Sequence, residues 1–395
     1  MGKDLNGKEL GPGITQRKDG RYEGKYTDRM GKRKSIYNLK LSVLKKELTD
    51  IKYEITHGIY SSNPTLTLDK WFEIWIKEYK EGTVKESTQS AYEYTYKHIS
   101  KEIGFMKLQD IKPLHLQKII NNLSENEYAF STIKLTRITM HAIFDQAVEN
   151  GFILKNPASK TKLPQDTTKE KRVLSVSEQE LFLKYSPISV YSKVFELALQ
   201  TGMRSGELGG LKWEDIDFEN KKIQIRRTLH FSHKHQKFIL TTPKSKASIR
   251  IIPLTEEAIK ILKERRAEQL RQKLISDCWN KEKCFNDLVF STKNGRPCGH
   301  ATFNNAIKSI LTKINNDIRF DAKINGIDPV LIESFSMHSL RHTFATRAFE
   351  KGMKPKVVQE IMGHTTLSVT TDLYMHTTQE HLFEEMEKYS VVKVS

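Results

Sequence analysis

Between residues 14 and 38 apolar and polar positions alternate in short runs that break at Asp19-Gly20 and Met30-Gly31. An Asp-Gly pair between such runs is a hairpin signal, so three short strands are predicted there. From Leu41 the period changes: Leu44, Leu48, Ile51 and Ile55 recur at helical spacing and predict one helix. Pro64 marks a boundary, and from Thr65 to about Pro157 the pattern is helical throughout. Leu68, Trp71, Phe72, Trp75, Ile76 and Tyr79 make a broad apolar stripe whose default role is core packing. Further helices are predicted in SAYEYTYKHISKEIG, PLHLQKIINNL and STIKLTRITMHAIFDQAVEN, the last closed by Asn150-Gly151 in a left-handed cap. Residues 159–171, SKTKLPQDTTKEK, are polar and proline-bearing and read as a linker.

From Arg172 helices and strands mix. Ser177 and Glu180 have capping-box spacing at the start of a helix, residues 190–200 form a strongly apolar segment, and 223–228, 238–242 and 249–254 have the β-branched content of strands. Residues 355–362 are amphipathic and end at Gly363. Beyond residue 378 a tail carries Leu382, Phe383, Met386 and Tyr389 at helical intervals, with Glu380, Glu384, Glu385 and Glu387 largely on other faces. The chain therefore reads as multidomain α+β: residues 1–62 a small three-stranded sheet plus helix, 65–158 an all-α domain, 159–171 a linker, and 172–395 a mixed α/β domain with a tail helix.

Five short C-terminal stretches concentrate the candidate chemistry. Arg204 sits in TGMRSGELGGL, Lys244 in TTPKSKASIRIIPL, His338 and Arg341 in MHSLRHTFA, His364 in IMGH, and Tyr374 in TTDLYMHT. Arginine forks clamp phosphate oxygens, histidines and a lysine move or share protons, and a phenol can act as nucleophile, so the set suits a phosphodiester. No carboxylate cluster for Mg²⁺ accompanies it. Glu207, one helical turn after Arg204, is placed either to hold its guanidinium or to cap the helix. The i, i+3 spacing of His338 and Arg341 puts them on one helix face, within reach of one phosphate; His342 points elsewhere and reads as structural. Lys244 falls in a turn between two predicted strands, where a hairpin tip can swing toward a leaving oxygen; Lys246 is its rival.

At these residues the sequence resembles the tyrosine recombinase (phage integrase) family, and QRKDGRY…KY near the N-terminus resembles the arm-site-binding domain of conjugative-transposon integrases. HSLRHTFA matches the family box nearly throughout, and the ten residues from His364 to Tyr374 are the family's distance. The resemblance implies a site-specific recombinase in which Tyr374 attacks the scissile phosphate, giving a 3′-phosphotyrosyl link and a free 5′-hydroxyl. Arg204, Arg341 and His364 would stabilise charge on the phosphate, His338 would assist proton transfer, Lys244 would protonate the departing oxygen, and Glu207 would orient Arg204. It also implies an arm-binding domain at 1–62, a helical core-binding domain at 65–158, and a catalytic domain from 172. The implied partners are double-stranded DNA at core and arm sites, a homotetramer on DNA, and accessory or excision proteins that bend DNA. Because the phosphoester is conserved, no metal or other cofactor is expected.

Composition agrees with a polyanionic partner. The 395 residues carry 65 Lys and Arg against 48 Asp and Glu, a formal charge of +17 spread along the chain. Arg17, Lys18, Arg21, Lys25, Lys32, Arg33 and Lys34 decorate the predicted sheet, where a basic face can enter a DNA groove, or else form a solvated hairpin surface. Lys85, Ser87, Thr88, Thr132, Lys134 and Arg137 are candidates for phosphate contact from the helical domain. Cys278, Cys284 and Cys298 lack paired spacing and indicate neither a disulfide framework nor zinc. His230, His233 and His235 lie on a predicted hairpin without carboxylate or cysteine support, so no metal is assigned to them. No apolar run of about 18 residues and no signal-peptide core is evident. A cytoplasmic, nucleoid-associated bacterial protein is expected.

Two rivals stand beside the recombinase reading. A type IB topoisomerase shares the chemistry but not the N-terminal module or the motif spacing. A silent DNA-binding regulator on the same scaffold is disfavoured because all six catalytic positions are occupied.

Overall fold

The computed structural model describes residues 2–28, 31–57, 66–166, 171–232, 234–243, 248–280, 282 and 284–364. Lys244, Lys246, Tyr374, His233 and the tail fall outside these. The chain divides into two compact units, Met1–Lys169 and Glu170–Ser395.

The first unit opens with a two-stranded antiparallel ribbon, β1 (Gly2–Lys3) and β2 (Glu9–Gly11), which the sequence pattern did not announce. Then come the three expected strands, β3 (Ile14–Gln16), β4 (Tyr22–Thr27) and β5 (Arg33–Asn38), antiparallel with β4 central. Gly20 and Gly31 carry the turns at positive φ, 84° and 75°, as the hairpin signal requires. Helix α1 (Leu41–His57) covers one face of this sheet, burying Leu44 and Leu48 against Leu10, Ile14, Tyr22, Tyr26 and Ile36.

The helical part of the unit comprises α2 (Leu68–Trp75), continued by a π-helical turn over Ile76–Lys80, α3 (Glu86–Ile103), α4 (Pro113–Glu125) and α5 (Phe130–Glu149). The aromatic stripe is core, as its spacing predicts: Trp71 and Trp75 are fully buried, and Phe72 stacks on Tyr96 at 3.5 Å between ring centroids. Trp71 donates its indole N–H to Ile143 O at 3.0 Å, which satisfies the polar atom of that buried ring. Gly151, at φ 70°, closes α5 in the expected left-handed conformation. The start of the expected linker is tied down: Gln117 exchanges two hydrogen bonds with the backbone of Lys162, and Arg137 Nε donates to Thr161 O at 3.0 Å.

The second unit begins with α6 (Val176–Tyr185), whose capping box is Ser175 with Glu178, two residues ahead of the pair expected from the sequence. Both pairs have the S-x-x-E spacing; Arg172 decides between them by holding Glu178. Helices α7 (Ser192–Thr201) and α8 (Ser205–Gly210) follow, α7 burying Val194, Phe195, Leu197 and Ala198. Strands β6 (Ile216–Asp217), β7 (Lys222–Ile225), β8 (Thr228–Ser232), β9 (Lys237–Thr241) and β10 (Arg250–Pro253) form two sheets. In one, β7 lies between β10 and β6; in the other, β8 pairs with β9. This corrects the expected hairpin around Lys244. The strands on either side of it, β9 and β10, belong to different sheets and do not pair with each other.

Helices α9 (Glu256–Ile275), α10 (His300–Asn325), α11 (Met337–Glu350) and α12 (Pro355–Met362) complete the unit. Its core joins α6, α7, α9, α10, the β7 sheet and the start of α11 in one apolar cluster. A smaller one packs Ala345, Ala348 and Phe349 of α11 against Val358 and Met362 of α12. Among the described residues, no helix is long and apolar enough to cross a membrane.

Candidate active site

Three helix ends converge in the second unit. Helix α7 stops at Gly202, held at φ 61°, and α12 stops at Gly363, at φ 65°. Both glycines take the left-handed conformation that turns the chain and leaves carbonyl groups unspent. Arg341, near the start of α11, collects them: Nη1 donates to Gly202 O at 2.5 Å and Nη2 to Met362 O at 2.6 Å. Nη2 also lies 2.7 Å from His364 Nε2. A guanidinium can only donate, so Nε2 of His364 accepts and the ring proton sits on Nδ1. Arg341 is 1% exposed, and its Nε has no partner among the described residues. Burial and the neighbouring charge of Arg204 lower its pKa to about 9, which leaves it cationic at neutral pH.

Arg204 occupies the N-cap position of α8, and its side chain is 35% exposed. Nη1 donates to Glu207 Oε1 at 2.8 Å and Nη2 to Gly363 O at 2.9 Å. Both roles open to Glu207 in the sequence are filled at once, because its Oε2 accepts the backbone N–H of Arg204 at 2.9 Å. Glu207 is itself 3% exposed and meets a second guanidinium, Arg250, at 3.0 and 2.9 Å. Burial alone would raise its pKa; the hydrogen bond and charge of Arg250, then the charge of Arg204, outweigh that and hold the carboxyl below its ordinary range.

Sequence reading did not single out Arg250. The signal was present: along β10 the side chains alternate, and Arg250 shares a face with fully buried Ile252. An arginine at a buried strand position needs a carboxylate partner, and Glu207 is the one available in the neighbouring motif.

His338 and Arg341 share one side of α11, but at different depths. Arg341 turns inward, whereas His338 stays exposed, its ring edge-on to His342 at 4.3 Å. Partial burial and the charges of Arg341 and Arg204 lower the His338 pKa. His342 is buried, as its structural reading implies, and burial together with His338 pushes it down to about 3. Burial followed by Arg341, Arg204 and Arg250 takes His364 to about 3 as well, and Gln359 pins its backbone through bonds of 3.2 and 3.1 Å. A polar chain outside the predicted set joins the starts of α8 and α11. Ser205 Oγ lies 3.0 Å from His300 Nδ1, His300 Nε2 lies 2.9 Å from Asn304 Nδ2, and Asn304 Oδ1 accepts Met337 N–H at 2.9 Å.

The DNA-contact candidates of the first unit are dispersed. Lys25 and Arg33 lie on the open face of the β4 sheet with Tyr37 and Glu23, whereas Lys34 has the parity of Ile36 on the helix side and pairs with Asp28. Arg17, Lys18 and Arg21 gather at the β3–β4 turn, where Asp19 bonds Arg21 and Arg17 lies over the Tyr37 ring. Lys32 sits at the opposite turn, so no single face collects all seven. Lys85 caps α3, Ser87 and Thr88 lie in its first turn, and Lys134 is exposed on α5; Thr132 and Arg137 are half-buried, Arg137 being engaged with Thr161. His230 lies on β8 and His235 in the turn that follows.

Residues 170–381 match the phage integrase family, residues 67–124 the N-terminal SAM-like domain of phage integrases, and residues 1–53 the DNA-binding domain of the Tn916 integrase. The chain belongs to the phage integrase family: it is a DNA-binding, site-specific tyrosine recombinase of the kind that integrates and excises mobile elements. It is 29% identical over 413 aligned positions to the transposase of transposon Tn916 from Enterococcus faecalis, covering 99% of this chain and 97% of that one. A XerC-like tyrosine recombinase of Caldanaerobacter subterraneus is 29% identical over 84% of this chain and 86% of its own. The fold matches that of the Tn1549 transposon integrase solved with transposon right-end DNA, at TM-score 0.69 and 23% identity, covering 82% of this chain and 99% of that one. Lambda integrase, solved as a tetramer on a Holliday junction, matches at TM-score 0.53 and 18% identity over 93% of this chain and 95% of its own.

Proposed function

We propose that this recombinase cleaves DNA with Tyr374 as nucleophile at a phosphate held by Arg204, Arg341 and His364. The observation that carries the reading is the charge around Glu207. Among the described residues, three guanidiniums, of Arg204, Arg250 and Arg341, stand against one buried carboxylate, an excess of two positive charges, and Arg204 faces solvent. An anion is the natural complement. A phenol has a pKa near 10, so Tyr374 must lose its proton as it attacks, and stabilising the charge that grows on the phosphate oxygens is the largest expected contribution. Exposed His338, its pKa lowered by partial burial and the charges of Arg341 and Arg204, is the proton acceptor or hydrogen-bond partner, and neutral His364 is a donor through Nδ1–H. Lys244 protonates the departing 5′-oxygen, with Lys246 as the alternative. The P–O bond to the 5′-oxygen breaks as the P–O bond to Tyr374 forms, so rejoining needs no energy source.

On this reading residues 1–62 hold arm sites, 65–158 the core site, and 172–395 the catalytic machinery, with four copies exchanging strands in a bacterial cytoplasm and accessory DNA-bending proteins biasing excision against integration. The similarity of residues 1–53 to the Tn916 integrase DNA-binding domain supports the first assignment. The test is selection from a random-sequence library of nicked duplexes in the presence of a chelator. Recovery of detergent-resistant protein–DNA adducts with free 5′-hydroxyl ends is expected. Sequence-selective binding that never yields an adduct would overturn the mechanism.

A further inference from the structure

Glu207 has its two oxygens filled by four donors. Oε1 accepts Arg204 Nη1 at 2.8 Å and Arg250 Nη1 at 3.0 Å; Oε2 accepts the Arg204 backbone N–H at 2.9 Å and Arg250 Nη2 at 2.9 Å. The bidentate grip therefore belongs to Arg250, whose side chain is only 6% exposed. Arg204 gives Glu207 a single side-chain bond and gives Gly363 O another. From these observations we infer that Arg250 is a positioning residue: by saturating Glu207 it stops that carboxylate from closing on Arg204 as a two-pronged pair, and so keeps the Arg204 fork open to the scissile phosphate.

The physical case rests on geometry and on what a buried carboxylate does when a partner leaves. A carboxylate and a guanidinium pair most strongly through two parallel bonds, and a buried carboxylate that loses a cation recruits whatever donor remains. With Arg250 gone, the cation already bonded to Glu207 is Arg204, on the same short helix start. It would then swing its terminal nitrogens onto Glu207 and away from Gly363 O and the solvent-facing side. Arg250 also bonds Ile361 O with Nε and Ser248 O with Nη1, so it fixes the end of α12 that leads to His364. A purely structural residue would have only that second effect.

The inference rests on the proposed phosphate role of Arg204, and the experiment separates the two. Single-turnover cleavage is measured on the nicked duplex recovered from the library, for the parent, Arg250→Met, Glu207→Gln and the double variant, with duplex affinity and melting temperature recorded for each. Arg250→Met should cleave about 100-fold more slowly with affinity changed only a few-fold. Adding Glu207→Gln should restore at least about 10-fold of that loss, because a neutral amide cannot hold Arg204 as an ion pair. Should Arg250→Met not fold, Arg250→Lys, which keeps the charge but lacks the planar fork that grips both oxygens with parallel bonds, should show the same slowing and the same recovery. Cleavage by the Arg250 variants at the parental rate, or a double variant slower than the single one, would overturn the inference. A parent that forms no adduct at all would instead overturn the proposed function.

Discussion

Arg341 donates to Nε2 of His364 at 2.7 Å, and this one contact settles the charge of the imidazole. With a cation donating to it, that nitrogen cannot carry a proton, and burial acts in the same direction, taking the His364 pKa to about 3. The site therefore holds a neutral histidine whose Nδ1–H is a hydrogen-bond donor.

Low pH should destabilise the chain through this group and His342. Both have folded-state pKa values near 3 against an ordinary 6.5, so below pH 6.5 the unfolded chain binds protons that the folded one refuses. Their stability contribution is complete above about 6.5 and declines as pH falls toward 3. Melting temperatures between pH 7.5 and 4.5 should drop, and His342→Phe, which removes one of the two groups, should flatten the drop. Parallel curves for parent and variant would refute this assignment.

Gly202 should tolerate no side chain. Its φ is 61°, and a Cβ would stand 2.4 Å from Cδ1 of Phe344. Gly202→Ala should cost about 2 kcal/mol in a denaturant titration. Cleavage should fall further than stability explains, because Gly202 O anchors Arg341.

Arg204→Lys keeps the charge and loses the fork. A lysine cannot bond Glu207 and Gly363 O while also clamping a phosphate, so single-turnover cleavage should fall by about 100-fold or more with affinity nearly unchanged. A rate within a few-fold of the parent would remove Arg204 from the site.

Deleting residues 1–62 should separate the two modes of DNA contact. If the remaining chain neutralises roughly 8 phosphates, log K against log salt should keep a slope of about −7 at the core site while arm-site binding is lost. Equal loss at both kinds of site would contradict the division of labour.

The sequence made local features readable and left distant ones hidden. The Asp-Gly turn, the spacing of Leu44 and Leu48, and the terminal glycines Gly151 and Gly363 each act within a few residues, and each lies where its pattern indicated. Helix α9 was missed because its stripe starts apolar, with Ala258, Ile259, Ile261 and Leu262, and ends in buried Arg265 and Gln269, which hydrogen-bond the backbone of Val289. The Lys244 segment was read as a hairpin because both flanks are strand-like. Only long-range pairing, β8 with β9 and β10 with β7, shows that they belong to different sheets.

In the candidate site, the motifs named Arg204, Glu207, Arg341 and His364, and the fold brings these together. It also brings in Arg250, 43 residues from Glu207 in the chain; alternation along β10 marks this arginine as facing inward, but only the fold sets it against Glu207.

The central claim is that Tyr374 carries the DNA during strand exchange. The most direct test is mass-spectrometric mapping of the adduct that parent and Tyr374→Phe proteins form on the selected nicked duplex. The parent should yield a nucleotide joined through a 3′-phosphate to the peptide containing Tyr374, and Tyr374→Phe should bind the duplex as tightly yet yield no adduct. A covalent adduct in the phenylalanine variant, or a nucleotide attached to any other residue, would contradict it.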